Sequence, residues 1–232
     1  SRCQREGRGF DPLCPLQLGK FIVIIWIASY PKSGNTYLRS FLASYYFSDD
    51  GKFNFDLLLK IHQFPNIKFS KLKSTNKEEA SKNWIFNQNS FFKNSDLNLV
   101  KTHNCLYPFK NNEFTTGNET LGAIYIVRDP RNIITSLTHH YDLSYEEAYS
   151  HMIDENSSLL ETSFELDHSN FTYLNSWSNH YQSWKNNKKF KTLFIRYEDI
   201  EKDKENVFQS VITFINNLNG QEEGLNQKKF TK

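Results

Sequence analysis

Apolar residues in this chain follow two different periods, and the two alternate along its length. Phe21-Ile22-Val23-Ile24-Ile25-Trp26-Ile27 is a continuous apolar run. It is too short for an ordinary helix and suits a strand buried on both faces. A turn later, Leu38, Phe41, Leu42, Tyr45 and Tyr46 recur at i, i+3, i+4, i+7 and i+8, which is one stripe of an amphipathic helix. Further strands are predicted at Leu97–Thr102, Gly122–Val127 and Lys191–Tyr197. A helix through Ile133, Ile134, Leu137 and Tyr141 starts where Asp129 can cap and Pro130 fits the first turn. Ser144 and Glu147 have capping-box spacing at the head of a helix to Asp154. Helices from about Tyr173 to Lys185 and from about Lys204 to Asn216 follow, the first with Trp177, Tyr181 and Trp184 on a core-facing side. The polar, Lys/Asn-rich region Gly51–Asn98 carries only short helical patches, one around Phe55, Leu58, Leu59 and His62 and one across Glu78–Phe92. Strands alternating with helices predict an α/β fold, a parallel sheet flanked by helices in three layers.

Sheets of this kind bind ligands at the carboxyl ends of their strands. Here four strands run out into polar residues: Lys32 after the first, His103 after the second, Arg128 after the third and Tyr197 at the fourth. The first of these ends, Tyr30-Pro31-Lys32-Ser33-Gly34-Asn35-Thr36-Tyr37, leads from strand to helix through a Lys, a Gly and hydroxyls. That geometry aims backbone N–H groups and a positive helix end at one point, where a phosphate or sulfate could sit. A Walker A loop is disfavoured, because Lys32 precedes Gly34 and the loop has no earlier glycine. On the residues alone, an ordinary strand-to-helix turn with an exposed Lys stays open. His103 reads as a general base, with an imidazole pKa of about 6.5 that suits neutral pH, or as a structural histidine.

Composition narrows the classes. A hydrophobic content of 38% against 23% charged residues is that of a globular chain. A net charge of +2 gives no support for a general nucleic-acid or membrane-surface binder, so any anion is held by a few local cations. Cys3, Cys14 and Cys105 are odd in number and widely spaced, which fits a reducing compartment and a cytoplasmic setting. No apolar run approaches the eighteen or so residues of a membrane span. No carboxylate cluster offers a metal site. His139 and His140 are adjacent and point to different helix faces, so they read as packing or acceptor-pocket residues.

The four strand ends together resemble the sulfotransferases that use 3′-phosphoadenosine 5′-phosphosulfate (PAPS). Tyr30–Tyr37 is similar to their 5′-phosphosulfate loop, and Val127-Arg128-Asp129-Pro130-Arg131-Asn132-Ile133-Ile134-Thr135-Ser136 to their 3′-phosphate motif. Val100-Lys101-Thr102-His103 resembles the strand end that carries the catalytic His in the cytosolic branch. Arg196-Tyr197-Glu198-Asp199 matches a late strand end. The resemblance implies a P-loop-like, nucleotide-kinase-related fold over residues 21–217 and transfer of a sulfuryl group to an acceptor hydroxyl or amine, without a metal. Lys32 would stabilise the leaving phosphate and His103 would act as base. Lys101 would contact the transferring group, its direction left open by strand alternation. Ser33, Gly34, Asn35, Thr36 and Tyr37 would bind the donor, with Tyr37 where the family has a stacking Trp. Arg128 and Ser136 would hold the 3′-phosphate. Tyr197 reads either as an adenine contact or as a buried aromatic.

The acceptor is expected to be a small molecule or glycan, facing the 51–98 region and the loop after His103. Residues 1–20 read as a disordered or non-native leader, and 218–232 as a polar tail without the family's Gly-rich lid. On that ground an incomplete chain is expected. The competing readings are a non-catalytic fragment that binds adenosine 3′,5′-bisphosphate (PAP) and a small-molecule kinase requiring ATP and Mg²⁺.

Overall fold

The computed structural model describes residues 24–92, 98–160 and 167–220. Its centre is strand β1, Ile24–Ser29, all six of whose residues are buried. The alternation of a strand sends them to opposite sides. Ile25 and Ile27 pack with Leu38 and Leu42 of helix α1 (Asn35–Phe47) on one face. Ile24, Trp26 and Ala28 pack with Trp84, Phe114, Phe171 and Trp184 on the other. An apolar run without alternation is therefore what a strand clad on both sides requires.

After α1 the chain makes a 3₁₀ turn, Phe55–Lys60, a two-residue strand β2, His62–Gln63, and a second 3₁₀ turn, Ile67–Phe69. Helices α2 (Lys77–Lys82) and α3 (Trp84–Phe91) lead to β3 (Asn98–Thr102) and β4 (Thr120–Val127). Then come α4 (Pro130–Tyr141), α5 (Tyr145–Ile153), a small antiparallel pair β5 (Ser158–Leu159) and β6 (Thr172–Tyr173), and α6 (Trp177–Lys185). Strand β7 (Lys191–Arg196) and helix α7 (Tyr197–Leu218) complete the order.

The main sheet runs β2-β3-β1-β4-β7 with every pairing parallel. The chain moves to one side of β1 for β2 and β3, then to the other for β4 and β7. Such an order puts a topological switch, and hence a crevice, at the carboxyl end of β1. This is the expected parallel, helix-flanked α/β architecture.

Local chemistry moved several boundaries. The helix expected from Tyr173 starts at Trp177, because Asn175 adopts φ 60° and Ser176 caps the helix by accepting from the Asn179 amide. Tyr173 instead lies in β6. The helix expected from Lys204 begins at Tyr197, with non-helical angles at Asp203 inside it. The patch Glu78–Phe92 is two helices that meet at Asn83. The patch ending at His62 is a 3₁₀ turn capped by Asn54, and His62 belongs to β2. The readings for residues 1–20 and for 221–232 lie outside the described residues.

Candidate active site

The chain leaves β1 at Ser29 and turns into α1 through two left-handed residues, Lys32 at φ 67° and Gly34 at φ 93°. Asn35 ties the new helix back to the strand: its Nδ2 donates to the Ile27 carbonyl at 3.0 Å and to Ser29 Oγ at 3.2 Å. Gly34 is the N-cap of α1 and supplies no side-chain cap, and the first turn contains no acidic residue. The leading amides of a helix have no intrahelical acceptor, so this end stays a donor-rich, positive pole.

Gly34 is required for a second reason. A Cβ built there would overlap Tyr197 Cδ2 and lie 2.5 Å from Cε2. The loop thus rests directly on the Tyr197 ring. Gly34→Ala adds left-handed strain to that overlap, and strain of this kind alone costs on the order of 1–3 kcal/mol. The urea unfolding midpoint of Gly34→Ala is expected to fall accordingly; an unchanged midpoint contradicts the packing described.

Around this loop opens a cavity of about 690 Å³, within the size range of small-molecule sites. Ten of the eleven residues expected at the site line it: Lys32, Gly34, Asn35, Thr36, Tyr37, Lys101, His103, Arg128, Ser136 and Tyr197. Ser33 does not; it is 1% exposed, below the loop. The lining carries three cations, Lys32, Lys101 and Arg128, and no Asp or Glu. A concave site with uncompensated positive charge favours a polyanion.

Arg128 organises the cationic side. Its Nη1 donates to the Lys32 carbonyl at 2.9 Å, and its guanidinium lies 4.4 Å from the Tyr197 ring centroid. Its Nε is buried with no hydrogen-bond partner, an orphaned donor at the site. The carboxylates nearby in sequence are engaged elsewhere. Asp129 pairs with Arg131, and Glu198 Oε1 accepts from the Asp129 amide at 2.8 Å. Burial, and then the neighbouring Arg128 charge, depress the Lys32 pKa. Lys101 does turn into the cavity, where its Nζ donates to Gln63 Oε1 at 2.9 Å. Tyr37 is 45% exposed at the rim, with Phe208 of α7 behind it at 5.7 Å between ring centroids.

His103 stands where this cavity meets a second one of about 310 Å³. Its Nδ1 is 2.7 Å from the Ser29 carbonyl oxygen. A carbonyl only accepts, so Nδ1 carries the hydrogen and Nε2 keeps the lone pair. Burial pushes the imidazole pKa down to about 3, with Lys101 adding to the shift. The ring is therefore neutral at neutral pH.

Nothing in the local pattern of the chain pointed to Gln63, His180 or the contribution of the β5–β6 pair. Gln63 ends a strand of two residues, too short to show any period. The second cavity takes Gln63, Phe64, Pro65 and Asn66 from the 51–98 region, and none of its lining comes from residues 104–118. Leu159, Leu160, Asn170 and Thr172 occupy that side instead. His140 and Tyr141 line both cavities, whereas His139 lines neither. Among the described residues, no group of His, Cys, Asp or Glu could hold a metal, and no helix is long and apolar enough to cross a membrane.

Retinol dehydratase, solved in a complex with retinol and PAP, superposes with a TM-score of 0.51 at 17% identity, over 89% of this chain and 62% of that one. At that identity the likeness is one of fold, and the chain spans less than two thirds of the neighbour's length. The sulfotransferase domain model matches residues 24–228, from the first residue of β1 to beyond the end of α7, and the chain belongs to that family.

Proposed function

We propose that the protein transfers the sulfuryl group of PAPS to a hydroxyl or amine of a small-molecule or glycan acceptor. The observation that carries this reading is the cavity itself: a helix N-terminus and three cations converge, no carboxylate opposes them, and a neutral histidine stands at the border of a second cavity. Adenosine 3′,5′-bisphosphate has two anionic ends, and our reading assigns cations to both. Lys32 and the amides from Gly34 to Thr36 face the 5′ end. Arg128, with its unpartnered Nε, and Ser136 face the 3′ end. Tyr37 and Tyr197 offer ring faces to the base.

When bound, the donor supplies an activated sulfuryl group whose departure leaves negative charge on the 5′-phosphate. Lys32 neutralises that charge, and the helix amides stabilise it without reorganising. Lys101, held by Gln63, orients the sulfuryl oxygens. His103 accepts the acceptor's proton at Nε2 while Nδ1 stays bound to the Ser29 carbonyl. Our reading also places the protein in the cytoplasm, where Cys105, a free and buried thiol raised to about 11, stays reduced.

Titration calorimetry with PAP, followed by assay of radiolabelled PAPS with mixed acceptors, tests the proposal. PAP should bind more tightly than ATP, and label should move to an acceptor without Mg²⁺. Binding without transfer would support a non-catalytic bisphosphate-binding protein. Tighter binding of ATP would return the kinase reading.

Arg128→Ala separates the two ends of the site. Loss of a charged hydrogen-bonding partner costs about 1.5–3 kcal/mol, or roughly tenfold to a hundredfold in affinity. The apparent KM for PAPS is expected to rise by that factor with a smaller change in kcat. An unchanged donor KM removes Arg128 from the binding site.

A further inference from the structure

Beneath the carboxyl ends of β1, β3 and β4 lies a histidine that lines neither cavity. His180 of α6 is fully buried, and both its ring nitrogens are engaged. Nε2 is 3.0 Å from the His103 carbonyl oxygen, and Nδ1 is 2.8 Å from Tyr125 Oη. The carbonyl can only accept, so Nε2 carries the hydrogen and Nδ1 accepts from the Tyr125 hydroxyl. The Tyr30 ring meets His180 edge-on at 5.4 Å. One imidazole therefore touches the residue that opens the anion loop, a core residue of β4 and the main chain of the proposed base.

The same face of α6 holds the segment that follows. Trp184 Nε1 donates to the Asn104 carbonyl at 3.1 Å, and Ser183 Oγ accepts from the Leu106 amide at 3.0 Å. His180, Ser183 and Trp184 stand at i, i+3 and i+4, so they share one side of the helix. An apolar side chain could fill the space at 180 with less desolvation cost. A histidine adds a directed donor to one carbonyl and an acceptor for one phenol.

We infer that His180 is a positioning residue: as the Nε2–H tautomer it fixes the His103 main chain so that the His103 ring reaches the Ser29 carbonyl while its other nitrogen faces the cavity. This inference rests on the assignment of His103 as the base. Its effect should appear in the titration of His103. The charged and titratable groups that act on that ring are Lys101 of β3, Arg39 of α1 and His180 itself, and Lys32, Tyr37, Arg128, His140, Tyr141 and Tyr197 line the same cavity. With the carbonyl released, the His103 ring is free to swing out of the Ser29 contact toward solvent, and its titration moves back toward that of an ordinary imidazole.

Two substitutions divide the contacts of His180. His180→Asn places an amide near the Nδ1 position, keeps the Tyr125 partner and loses the His103 carbonyl. His180→Gln reaches the Nε2 position and keeps the donor to that carbonyl. The readout is the His103 titration midpoint by nitrogen-15 NMR of the ligand-free protein, with thermal melting as a check on folding and calorimetry with PAP as a check on the donor site. The expected result is a rise of at least about one pH unit in His180→Asn, much less in His180→Gln, with PAP affinity held within about threefold. Turnover of PAPS with 4-nitrophenol should fall by roughly tenfold or more in His180→Asn at unchanged donor KM. A folded His180→Asn whose His103 midpoint stays put overturns the inference, and equal shifts in both variants do the same. If the wild type neither binds PAP nor turns over PAPS, the functional reading fails, while the NMR comparison still decides the role of His180. Should His180→Asn not fold, His180→Leu, which removes both ring nitrogens, replaces it, and a His103 midpoint unmoved by it counts against the inference.

Discussion

Replacing Lys32 by alanine should lower kcat for sulfuryl transfer by about 10²–10³-fold, the loss seen when one preorganised donor to a developing anion is removed. The same change should move the affinity for PAP by less than about tenfold, because two effects oppose each other. The ammonium attracts the bound anion, but it also repels Arg128, whose charge helps depress the Lys32 pKa in the empty site. Alanine loses the attraction and relieves the repulsion. Charge that appears only as the sulfuryl group leaves has no such offset, so the deficit concentrates in kcat. Alanine at φ 67° is no worse placed than lysine, so folding is preserved and the comparison is clean. Lys32→Arg should recover little, since a planar guanidinium held beside Arg128 cannot take the place of a compact ammonium. Single-turnover rates with radiolabelled PAPS, set beside PAP calorimetry, check both halves. A kcat within tenfold of wild type would remove Lys32 from the reaction.

What the sequence revealed follows the strength of its local signals. β1 was plain because a strand covered on both faces must be apolar at every position, and Ile24–Ile27 are. The anion loop was plain because a strand, a glycine and an amphipathic helix meet within a few residues. The reason for Gly34 was not, since Tyr197 comes 163 residues later in the chain and only the fold brings its ring beneath the loop. β2 was invisible, because two residues cannot show alternation, and Gln63 was lost with it. The start of α6 was misplaced for a related reason. Phe171, Tyr173 and Leu174 look apolar enough to extend the helix, while the residues that stop it, Asn175 and Ser176, act through a backbone angle and one capping bond. His180 carried no signal either. Within a stretch reading Trp177-Ser178-Asn179-His180-Tyr181, nothing sets it apart until β1, β3 and β4 close over it.

His103→Gln should be the other severe loss, with kcat reduced by about 10²–10⁴-fold, the usual worth of a positioned general base. Glutamine fills the space of the ring but has no basic nitrogen, so donor affinity should hold while transfer fails. The pH profile of the wild type carries the sharper expectation. An ordinary imidazole near pKa 6.5 would be half protonated at pH 6.5, and activity would decline on acidification from there. In the free enzyme, burial and Lys101 lower the His103 pKa to about 3. A depressed pKa leaves the base neutral down to more acidic pH, so kcat/KM should show no acid limb near 6.5. Bound donor brings negative charge next to the ring and favours its protonated form, which moves the pKa upward. The acid limb of kcat, which reports the occupied enzyme, should therefore lie at higher pH than that of kcat/KM. Free imidazole added to His103→Ala should restore part of the rate through the cavity the side chain vacates. A kcat/KM profile falling with a midpoint near 6.5, or a His103→Gln enzyme with ordinary turnover, would assign proton removal to another group.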